Sequence, residues 1–592
     1  MIVPMKKVSI IVQPKDAAST VEALRALGVL HLEHSQAPKG ADISALGEDI
    51  TLINTAIGVL SEKQFTPRAK PLEPREAIKL TDWKLTARHI IDSRKRLEQL
   101  EEYSRNLTNR IVQWENWGDF DPEEIEGLAG KNIYLRLYQI PAKEIKNLHP
   151  AVIVKELSSA AGVVNCALIW QGKAEIPFKE LAPPKMGLEK MKARLCEDMK
   201  IMESVKDDIR KCLGYRASFL RIKKSLEGEL EFHQAIKGMG QSGGLVYLSG
   251  YAPDDMALPL QEAAKKEQWA LALRDPSEED KVPTLIRNPR WLSIISPIFK
   301  FLEIFPEYRE WDISPVFIVF FSLFFGMLIG DAGYGIVYML LTFWAHKKIG
   351  SKLKDKSVFS LFYVLSFCAI IWGLLTGTFF GQEWFLKIGY KPLAPALNNP
   401  KGIQTFCFFV GALHLSIAHI WRGIIKLPSV AALAEAGWVC VVWSVFLLAK
   451  MLILGENFPA FGTGLIISGV SLVVIFNNPQ RNILKILNVD LITLALGLIS
   501  SFGEVVSYIR LFVVSMAGVA IADTFNAMAA NIGAGSIAAL LGSVFVVMLG
   551  HTLCLVLGPL SVLVHGIRLN LLEFSGHANI SWSGIAYKPF KE

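Results

Sequence analysis

Long apolar runs separated by short polar connectors fill the chain from about residue 313 onward, whereas residues 1–311 carry a mixed, charged pattern. The two longest runs, 491–530 and 536–573, follow each other near the C-terminus. A helix rises about 1.5 Å per residue, so a helix of about 40 residues is about 60 Å long, against about 30 Å for the hydrocarbon core of a membrane. We therefore predict a membrane domain at 312–592 whose last two helices are long and strongly tilted, unless they break.

The basic connectors decide how the earlier apolar runs divide. A single helix over 313–346 would place the lysine-rich loop that follows it outside the cell, against the tendency of basic loops to stay in the cytoplasm. A break at Gly330 and Asp331 returns that loop to the cytoplasm. The pattern then predicts an all-α domain of eight membrane helices with both termini cytoplasmic. Beyond the two halves of 313–346, the predicted spans are 358–381, 403–422, 434–455, 461–476, 490–530 and 536–573.

The first half of the chain predicts an α+β cytoplasmic arm. Two long helices, near 82–116 and 187–235, repeat apolar residues at coiled-coil spacing, and strand-like runs lie before, between and after them. We expect an antiparallel coiled coil that joins two small α/β lobes, one near 1–80 with 240–290 and the other near 125–182. The opening residues lack the apolar segment and cleavage site of a signal peptide, which predicts a cytoplasmic location for 1–311.

Composition agrees with a membrane protein and excludes several function classes. The 592 residues are 51% hydrophobic, with a mean hydropathy of +0.34. The formal charge of +7 is explained by basic loops on one side of a membrane, so we do not expect nucleic-acid binding. The seven cysteines are scattered without a CxxC pair, which argues for a reducing compartment and against structural zinc. We find no GxxxxGK(S/T) sequence, metal-ligand cluster or nucleophile motif, and we expect no catalytic residue, metal or cofactor.

Polar and small residues form a stripe along each of the two longest helices. On the first helix they recur every three or four positions, and Arg510 lies at the edge of the stripe. The stripe on the second helix contains His551, Gly558, Ser561, His565 and Arg568. An arginine inside a membrane costs from a few to more than about ten kcal/mol unless it faces water, a carboxylate or a partner protein. Two such arginines on successive overlong helices predict a path for ions.

Simpler interpretations of these residues stay open. Arg510 could form a salt bridge to Glu504 or a neighbour that only fixes helix packing, and Arg568 could snorkel to the cytoplasmic interface. The two histidines of the second stripe are explained equally well as interior histidines or as proton carriers. Glu573 could be an interfacial anchor.

Three motifs make the chain similar to a known family. They are FFGMLIGDAGYG at 324–335, SYIRLFVVSMAGVAIA at 507–522 and HGIRLNLLEF at 565–574. Across essentially its whole length, the chain resembles the large membrane-stator subunit of V-type and archaeal A-type rotary ATPases, called subunit a, or subunit I in prokaryotes. The compact loops and first half resemble prokaryotic members more than eukaryotic ones.

The resemblance implies a mechanism. The two tilted helices would face a rotor ring of proteolipid subunits, each bearing one carboxylate. Arg510 would pair with each passing carboxylate and block leakage between an inner and an outer half-channel, and Arg568 would assist it. The further residues that the resemblance and the stripes propose for ion translocation are Glu504, Ser507, Tyr508, His551, His565 and Glu573. Proton-pumping eukaryotic relatives carry a glutamate seven residues before the histidine, where this chain has Gly558.

The resemblance also implies partners and a location. The arm would hold the peripheral stalks and meet the central-stalk connecting subunit, in the plasma membrane of a prokaryote, while H⁺ or Na⁺ crosses the lipid bilayer. The chain itself would not be an enzyme. Two other functions stay open, an independent secondary transporter with a regulatory arm and a membrane scaffold whose arginines are packing charges. A transporter would show broken helices in both halves of an inverted repeat, and only the break at Gly330 is evident.

Overall fold

The computed structural model describes residues 1–65, 82–145, 148, 150, 152–160, 162–172, 176–353, 355–382, 394–477, 483–533 and 535–591, without the side chains of 160, 398 and 483–493. Two compact units are present. The apolar unit comprises Met1–Ser9, Val29–His31 and Gly250–Pro589. The α/β unit comprises Ile10–Gly28, Leu32–Ser249 and Phe590–Glu592.

Eleven strands occur in the described residues, in three sheets. They are β1 (Met5–Val12), β2 (His31–Glu33), β3 (Ile133–Pro141), β4 (Ile153–Ala160), β5 (Val163–Gln171), β6 (Glu180–Leu181), β7 (Gly240–Ser242), β8 (Leu245–Pro253), β9 (Ala270–Arg274), β10 (Pro283–Thr284) and β11 (Ile585–Ala586). The strand orders are β2-β8-β1-β9 with β7 beside β8, β4-β5-β3-β6, and β10-β11. The last pair is parallel and joins Pro283 to Ile585.

Helices make up most of the described chain. In the first half they are α1 (Ala17–Leu27), α2 (Ala41–Leu60), α3 (Trp83–Trp114), α4 (Pro122–Ala129), α5 (Leu188–Cys212), α6 (Arg216–Lys237), α7 (Ala257–Lys266) and α8 (Ser296–Leu302). In the apolar part they are α9 (Ser314–Ile329), α10 (Ala332–Ile349), α11 (Ser357–Thr376), α12 (Pro400–Lys426), α13 (Ala432–Leu454), α14 (Ala460–Phe476), α15 (Ile483–Ser507), α16 (Ile509–Ile532), α17 (Ile537–Ser561) and α18 (Ser575–Ala578).

The α/β unit pairs a helical layer with the sheet β4-β5-β3-β6. Helix α3 packs on α5 and on α2, and α2 packs on α6. Buried residues such as Ile90 and Leu97 on α3 meet Ile53 on α2 and Phe219 on α6. The expected second helix, 187–235, is divided at Leu213–Tyr215, which includes Gly214, a poor helix former. The coiled coil itself stays a prediction.

Helix α2 was not expected, because the sequence pattern predicted only a small α/β lobe over 1–80. By length and composition this 20-residue helix could also cross a membrane. Its Ile53, Ala56 and Leu60 are instead buried in the core that α3 and α6 share. Hydropathy alone therefore does not separate a core helix from a membrane helix.

Helices α9 and α10 are separated by a break at Gly330 and Asp331, as the charge of the following loop predicts. The two helices are bent by 119° at Gly330 and Asp331. Gly330 has φ +68°, a left-handed conformation that favours glycine. The Asp331 carboxylate accepts hydrogen bonds from Tyr334 N at 3.1 Å and Gly381 N at 2.8 Å. The predicted division at these two residues is confirmed.

The two overlong helices are confirmed in length. Leu494–Ile532 has 39 residues, with a turn at Tyr508 between α15 and α16, and Ile537–Ala578 has 42. Five described helices of the apolar unit are each long and apolar enough to cross a membrane, namely α11, α12, α13 and these two. The bent α9–α10 pair is long enough only when both of its helices are counted together, and α14 has 17 residues. The tilt and the count of eight spans stay predictions.

The last long helix is locally irregular where its chemistry lies. Pro559 lacks an N–H, and the carbonyl of Leu555, four residues earlier, accepts a hydrogen bond from Tyr338 Oη at 2.9 Å. Two π-helical segments follow, Val562–Gly566 and Leu569–Phe574. Such widened turns are frequent at functional sites, because they re-aim side chains within an otherwise regular helix.

Candidate functional site

Glu573 lies where the two long helices meet. Its Oε1 is 3.3 Å from Arg510 Nη2 and 3.4 Å from Arg568 Nε. The Ser507 hydroxyl donates to the same oxygen at 3.3 Å. Arg510 follows the turn that ends α15, and Glu573 belongs to the second π-helical segment. The structure thus brings together four of the predicted site residues around a single carboxylate oxygen.

The charges in this cluster do not balance. One carboxylate faces two guanidinium groups, which stay protonated, so the cluster carries an excess positive charge. Glu573 is only 6% exposed, whereas the side chains of Arg510 and Arg568 are 26% and 54% exposed. The arginines are therefore held by a buried carboxylate and still present charge at the surface of this chain. Such a cluster can bind one further carboxylate.

Two other predicted residues lie near this cluster in different settings. Tyr508 is fully buried, and its hydroxyl lies 2.9 Å from His414 Nδ1. Its ring also fills the space where a Cβ of Gly411 would stand. These contacts fix the turn between α15 and α16 and so position Arg510. His565 is half-buried, and its Nδ1 has no hydrogen-bond partner among the described residues.

His551 belongs to a second polar cluster. Its Nδ1 lies 2.7 Å from Tyr334 Oη, and its Nε2 lies 3.1 Å from Asn526 Oδ1. Asn526 in turn donates to the carbonyl of Phe380 at 2.8 Å. Tyr334 stands in the first turn of α10, just after the break at Asp331. The break at Asp331 therefore positions the Tyr334 side chain against His551.

A third polar cluster begins at Glu504, and most of it was missed by the sequence analysis. The Ser500 hydroxyl donates to Glu504 Oε1 at 2.8 Å, and Glu504 Oε2 contacts His577 Nε2. His577 Nδ1 lies 2.8 Å from His419 Nε2, and His419 Nδ1 lies 2.8 Å from Glu435 Oε2. Glu504 pairs with His577, so the carboxylate partner of Arg510 is not Glu504 but the neighbouring Glu573.

An open space accompanies the Glu504 cluster. A cavity of about 330 Å³ is lined by His419, Arg422, Ser500, Glu504 and His577, together with apolar residues of α13 and α14. The missed residues were detectable in principle, because His419 and Glu435 are titratable side chains inside the apolar runs 403–422 and 434–455. Their contact was not detectable, since periodicity describes one element at a time.

Metal chemistry finds no support in the described residues. Within them, no group of three or more His, Cys, Asp or Glu side chains is placed to hold a metal ion. The clusters instead consist of arginines, carboxylates, imidazoles and hydroxyls. These groups bind carboxylates and exchange protons.

Comparisons with known proteins agree on one kind of protein. V-type ATP synthase subunit I 1 of Treponema pallidum is 30% identical over 632 residues, and V-type ATP synthase subunit I of Borreliella burgdorferi is 29% identical over 624, each alignment covering 100% of both chains. A-type ATP synthase subunit I of Methanocaldococcus jannaschii is 24% identical over 418 residues, covering 64% of this chain and 59% of that protein. No family model matches the chain.

Among solved structures, the cytoplasmic N-terminal domain of subunit I, a homolog of subunit a of V-ATPase, matches 45% of this chain and 99% of its own. The sequence identity is 15% and the TM-score is 0.22. A similarity at this level carries no argument about fold or function.

Proposed function

The chain belongs to the subunit I family of V-type and A-type ATP synthases, and from that premise we propose that it is the static membrane subunit past which the rotor ring carries ions. Membership of the family confirms the resemblance found in the motifs. It makes the chain a non-catalytic, multi-pass membrane subunit of a rotary ATPase complex. We further propose where its half-channels lie, which residues act on the ion and which part of the chain binds the stalks.

The observation that carries the proposal is the pairing of Arg510 and Arg568 with the buried Glu573. Both guanidiniums are held at one place by one carboxylate, and both keep exposed surface. A rotor carboxylate that passes them competes with Glu573 for the same charges. Pairing favours the ionised form of the rotor carboxylate, which therefore releases its ion before it passes. The fixed positive charge also prevents cations from crossing directly between the two sides.

Two polar clusters are the candidates for the aqueous half-channels. The cavity at Glu504 and His577 lies toward the side of the membrane that the basic loops assign to the cytoplasm. We therefore assign the inner half-channel to this cavity. We assign the outer half-channel to the cluster of His551, Asn526 and Tyr334. A glutamate at Gly558 would not fit without rearrangement, because a Cβ there would lie 2.8 Å from Ile329 Cδ1 and 3.0 Å from Tyr338 Oη.

The proposal includes partners and a location. The proteolipid rotor ring packs against the long helices of the apolar unit, and the arm binds the peripheral stalks and the central-stalk connecting subunit. The complex resides in the plasma membrane of a prokaryote, with both termini of this chain in the cytoplasm. In this arrangement the arm resists torque, so that ATP hydrolysis or synthesis elsewhere turns the ring and not this subunit.

Replacing Arg510 by Ala tests the proposal. Assembled complexes in membrane vesicles should lose ATP-driven ion uptake, because the rotor carboxylate no longer meets the charge that makes it release its ion. Uptake is followed with a pH-sensitive dye and with ²²Na⁺, and assembly is followed by subunit content. Arg210→Ala is the matched control, since Arg210 pairs with Glu203 and Asp207 on the surface of α5. Normal uptake in assembled Arg510→Ala complexes would refute the proposed role.

A further inference from the structure

Four titratable side chains from four helical segments form an unbroken chain in the apolar unit. Glu435 of α13 contacts His419 of α12, and His419 contacts His577 of α18. His577 contacts Glu504 of α15, so the order is carboxylate, imidazole, imidazole, carboxylate. We call it the Glu–His chain. Each of the four ring nitrogens faces another group of the Glu–His chain. The contact between His419 and Glu435 and the contact between His419 and His577 are both 2.8 Å long.

The number of protons in the Glu–His chain follows from its geometry. A neutral imidazole has one N–H donor and one acceptor nitrogen, and an ionised carboxylate only accepts. If both rings were neutral and both carboxylates ionised, each ring would direct its single N–H at its carboxylate. His419 Nε2 and His577 Nδ1 would then face each other as two lone pairs at 2.8 Å. That contact is repulsive, so the Glu–His chain needs one proton more than the state with neutral rings and ionised carboxylates.

This extra proton has two possible positions. In one, His419 is an imidazolium that donates to Glu435 and to His577, and His577 donates to Glu504. When the His419 Nε2 proton moves to His577 Nδ1 and the His577 Nε2 proton moves to Glu504, Glu504 is protonated and both rings are neutral. Each of the three contacts holds one proton before and after the shift. No group has to move, and the net result is one proton transferred to Glu504.

The two ends of the Glu–His chain differ in their surroundings. Glu435 is held ionised by neighbouring cations, and Glu504 faces the cavity. Glu435 also pairs with Arg422 Nη2 at 3.2 Å and with Lys426 Nζ from α12. These two cations stabilise the charge of Glu435, so the extra proton is driven toward Glu504. The carboxylate of Glu504 accepts a hydrogen bond from the Ser500 hydroxyl, and Glu504 lines the cavity with both histidines. The stacked ring of Trp438, 5.8 Å from His419 between centroids, holds the imidazole in place.

We propose that the Glu–His chain stores one proton and exchanges it through Glu504 with the inner half-channel. This inference rests on the proposed function. When Glu504 gives up its proton, His577 Nε2 is left unprotonated at the cavity, and a proton from water there restores the third one. The Ser507 hydroxyl lies between the two sites, because it contacts both the backbone carbonyl of Glu504 and the carboxylate of Glu573.

The test uses assembled complexes in vesicles and compares three variants. His577→Gln keeps a side chain that forms hydrogen bonds but cannot bind the extra proton. We expect ATP-driven proton uptake to fall by about 10²-fold, the usual effect of removing a positioned proton carrier, and to recover partly as the pH is lowered. His577→Ala should lose uptake similarly and regain it with added imidazole, which the cavity can admit. His346→Gln is the control, because His346 stacks on Phe359 outside the Glu–His chain.

Each outcome decides the inference. Unchanged uptake and pH profile in His577→Gln would overturn it, as would a loss of uptake in assembled His577→Ala complexes that imidazole does not restore. If the alanine variant does not assemble, the glutamine variant decides alone. If ²²Na⁺ accumulates and a protonophore does not reduce it, the proton store is refuted while the proposed function stands. If Arg510→Ala retains uptake, the proposed function fails regardless of the histidine variants.

Discussion

At the scale of single residues, the pairing of Glu573 changes the meaning of both arginines. The sequence could predict that Arg510 and Arg568 need a partner, because an uncompensated guanidinium in a membrane is costly. It could not predict which carboxylate serves, since Glu504 or a neighbour could pair with Arg510 and Glu573 could be an interfacial anchor. Glu573, which contacts both arginines, lies in the second π-helical segment, Leu569–Phe574, where side chains depart from the regular helical spacing. No periodicity in the sequence marks such a segment.

Asp331 gives a prediction about the break between α9 and α10. Its buried carboxylate accepts from Tyr334 N and Gly381 N. Asp331→Ala should lower the free energy of unfolding by about 1–3 kcal/mol, since both N–H groups lose their acceptor. Asp331→Asn should also destabilise, because its amide nitrogen would oppose one N–H donor. Thermal unfolding of the detergent-purified chain measures both changes.

Asp275→Asn is the control for this experiment, because the Asp275 side chain is 82% exposed and pairs with Lys6 at the surface. It should be close to neutral. An Asp331→Ala variant as stable as this control would show that the break is held by the conformation of Gly330 alone.

Asp280 gives a prediction about pH in the part of the chain outside the membrane. A hydrogen bond from Lys7 Nζ at 2.6 Å, with a further bond from Ser277 N at 2.7 Å, lowers the pKa of Asp280 from 3.8 to about 2. The folded state therefore holds the ionised form more strongly than the unfolded state does. The stabilisation is complete above the unfolded pKa and is lost as the pH falls from about 4 to about 2.

Asp280→Asn removes this dependence. The melting temperature of the purified variant should be below that of the wild type at pH 5, and the difference should shrink as the pH approaches 3. A difference that stays constant over this range would show that the loss comes from packing and not from the charge of Asp280.

At the scale of elements, close backbone contact holds α11 against the break at Asp331. A Cβ on Gly373 would lie 2.6 Å from Ala332 Cα and 2.7 Å from Ala332 Cβ. Small residues of this kind let membrane helices approach until their backbones touch. The contact places Thr378 near Gly330, whose carbonyl accepts its hydroxyl at 2.5 Å. The shape of the break at Gly330 thus depends on Gly373, which lies 43 positions later in the sequence.

Gly373→Ala should therefore destabilise the protein, although alanine favours helix. We expect a loss of about 1–3 kcal/mol, the usual cost of overpacking, measured by thermal unfolding in detergent. Gly464→Ala on α14 is the matched control, since nothing lies within 4 Å of its Cβ position. It should be neutral or stabilise by up to about 1 kcal/mol. Equal effects of the two substitutions would refute the close-contact interpretation.

The elements also show what a sequence can predict. The break at Gly330 and Asp331 was predictable because two independent signals coincide there, a glycine followed by a capping aspartate and a charge pattern that requires a reversal. The division of the second arm helix at Leu213–Tyr215 was not, because apolar residues continue on both sides of it. The π-helical segments around Arg568 were not predictable either. Propensity identifies where a helix ends better than it identifies where a helix widens.

At the scale of the whole molecule, the prediction concerns which side of the membrane each connector between the helices faces. Charge predicts that the loop after α10 faces the cytoplasm, since it carries Lys347, Lys348 and Lys352. Counting onward through α11, α12 and α13 places the connector at Glu456 on the outside. Both sites are exposed in the structure, so each can be labelled.

Cysteine labelling distinguishes the possible paths. In a background with the exposed Cys196 replaced by serine, a membrane-impermeant maleimide should label Glu456→Cys in right-side-out vesicles and Lys352→Cys only in inverted vesicles. The predicted result requires α9 and α10 to return the chain to the cytoplasmic side, as their 119° bend allows. Labelling of Lys352→Cys from the outside would mean that the bent pair crosses once. The long helices would then run in the opposite direction, and the cavity at Glu504 would open to the outside, so this single measurement also decides which half-channel the Glu–His chain serves.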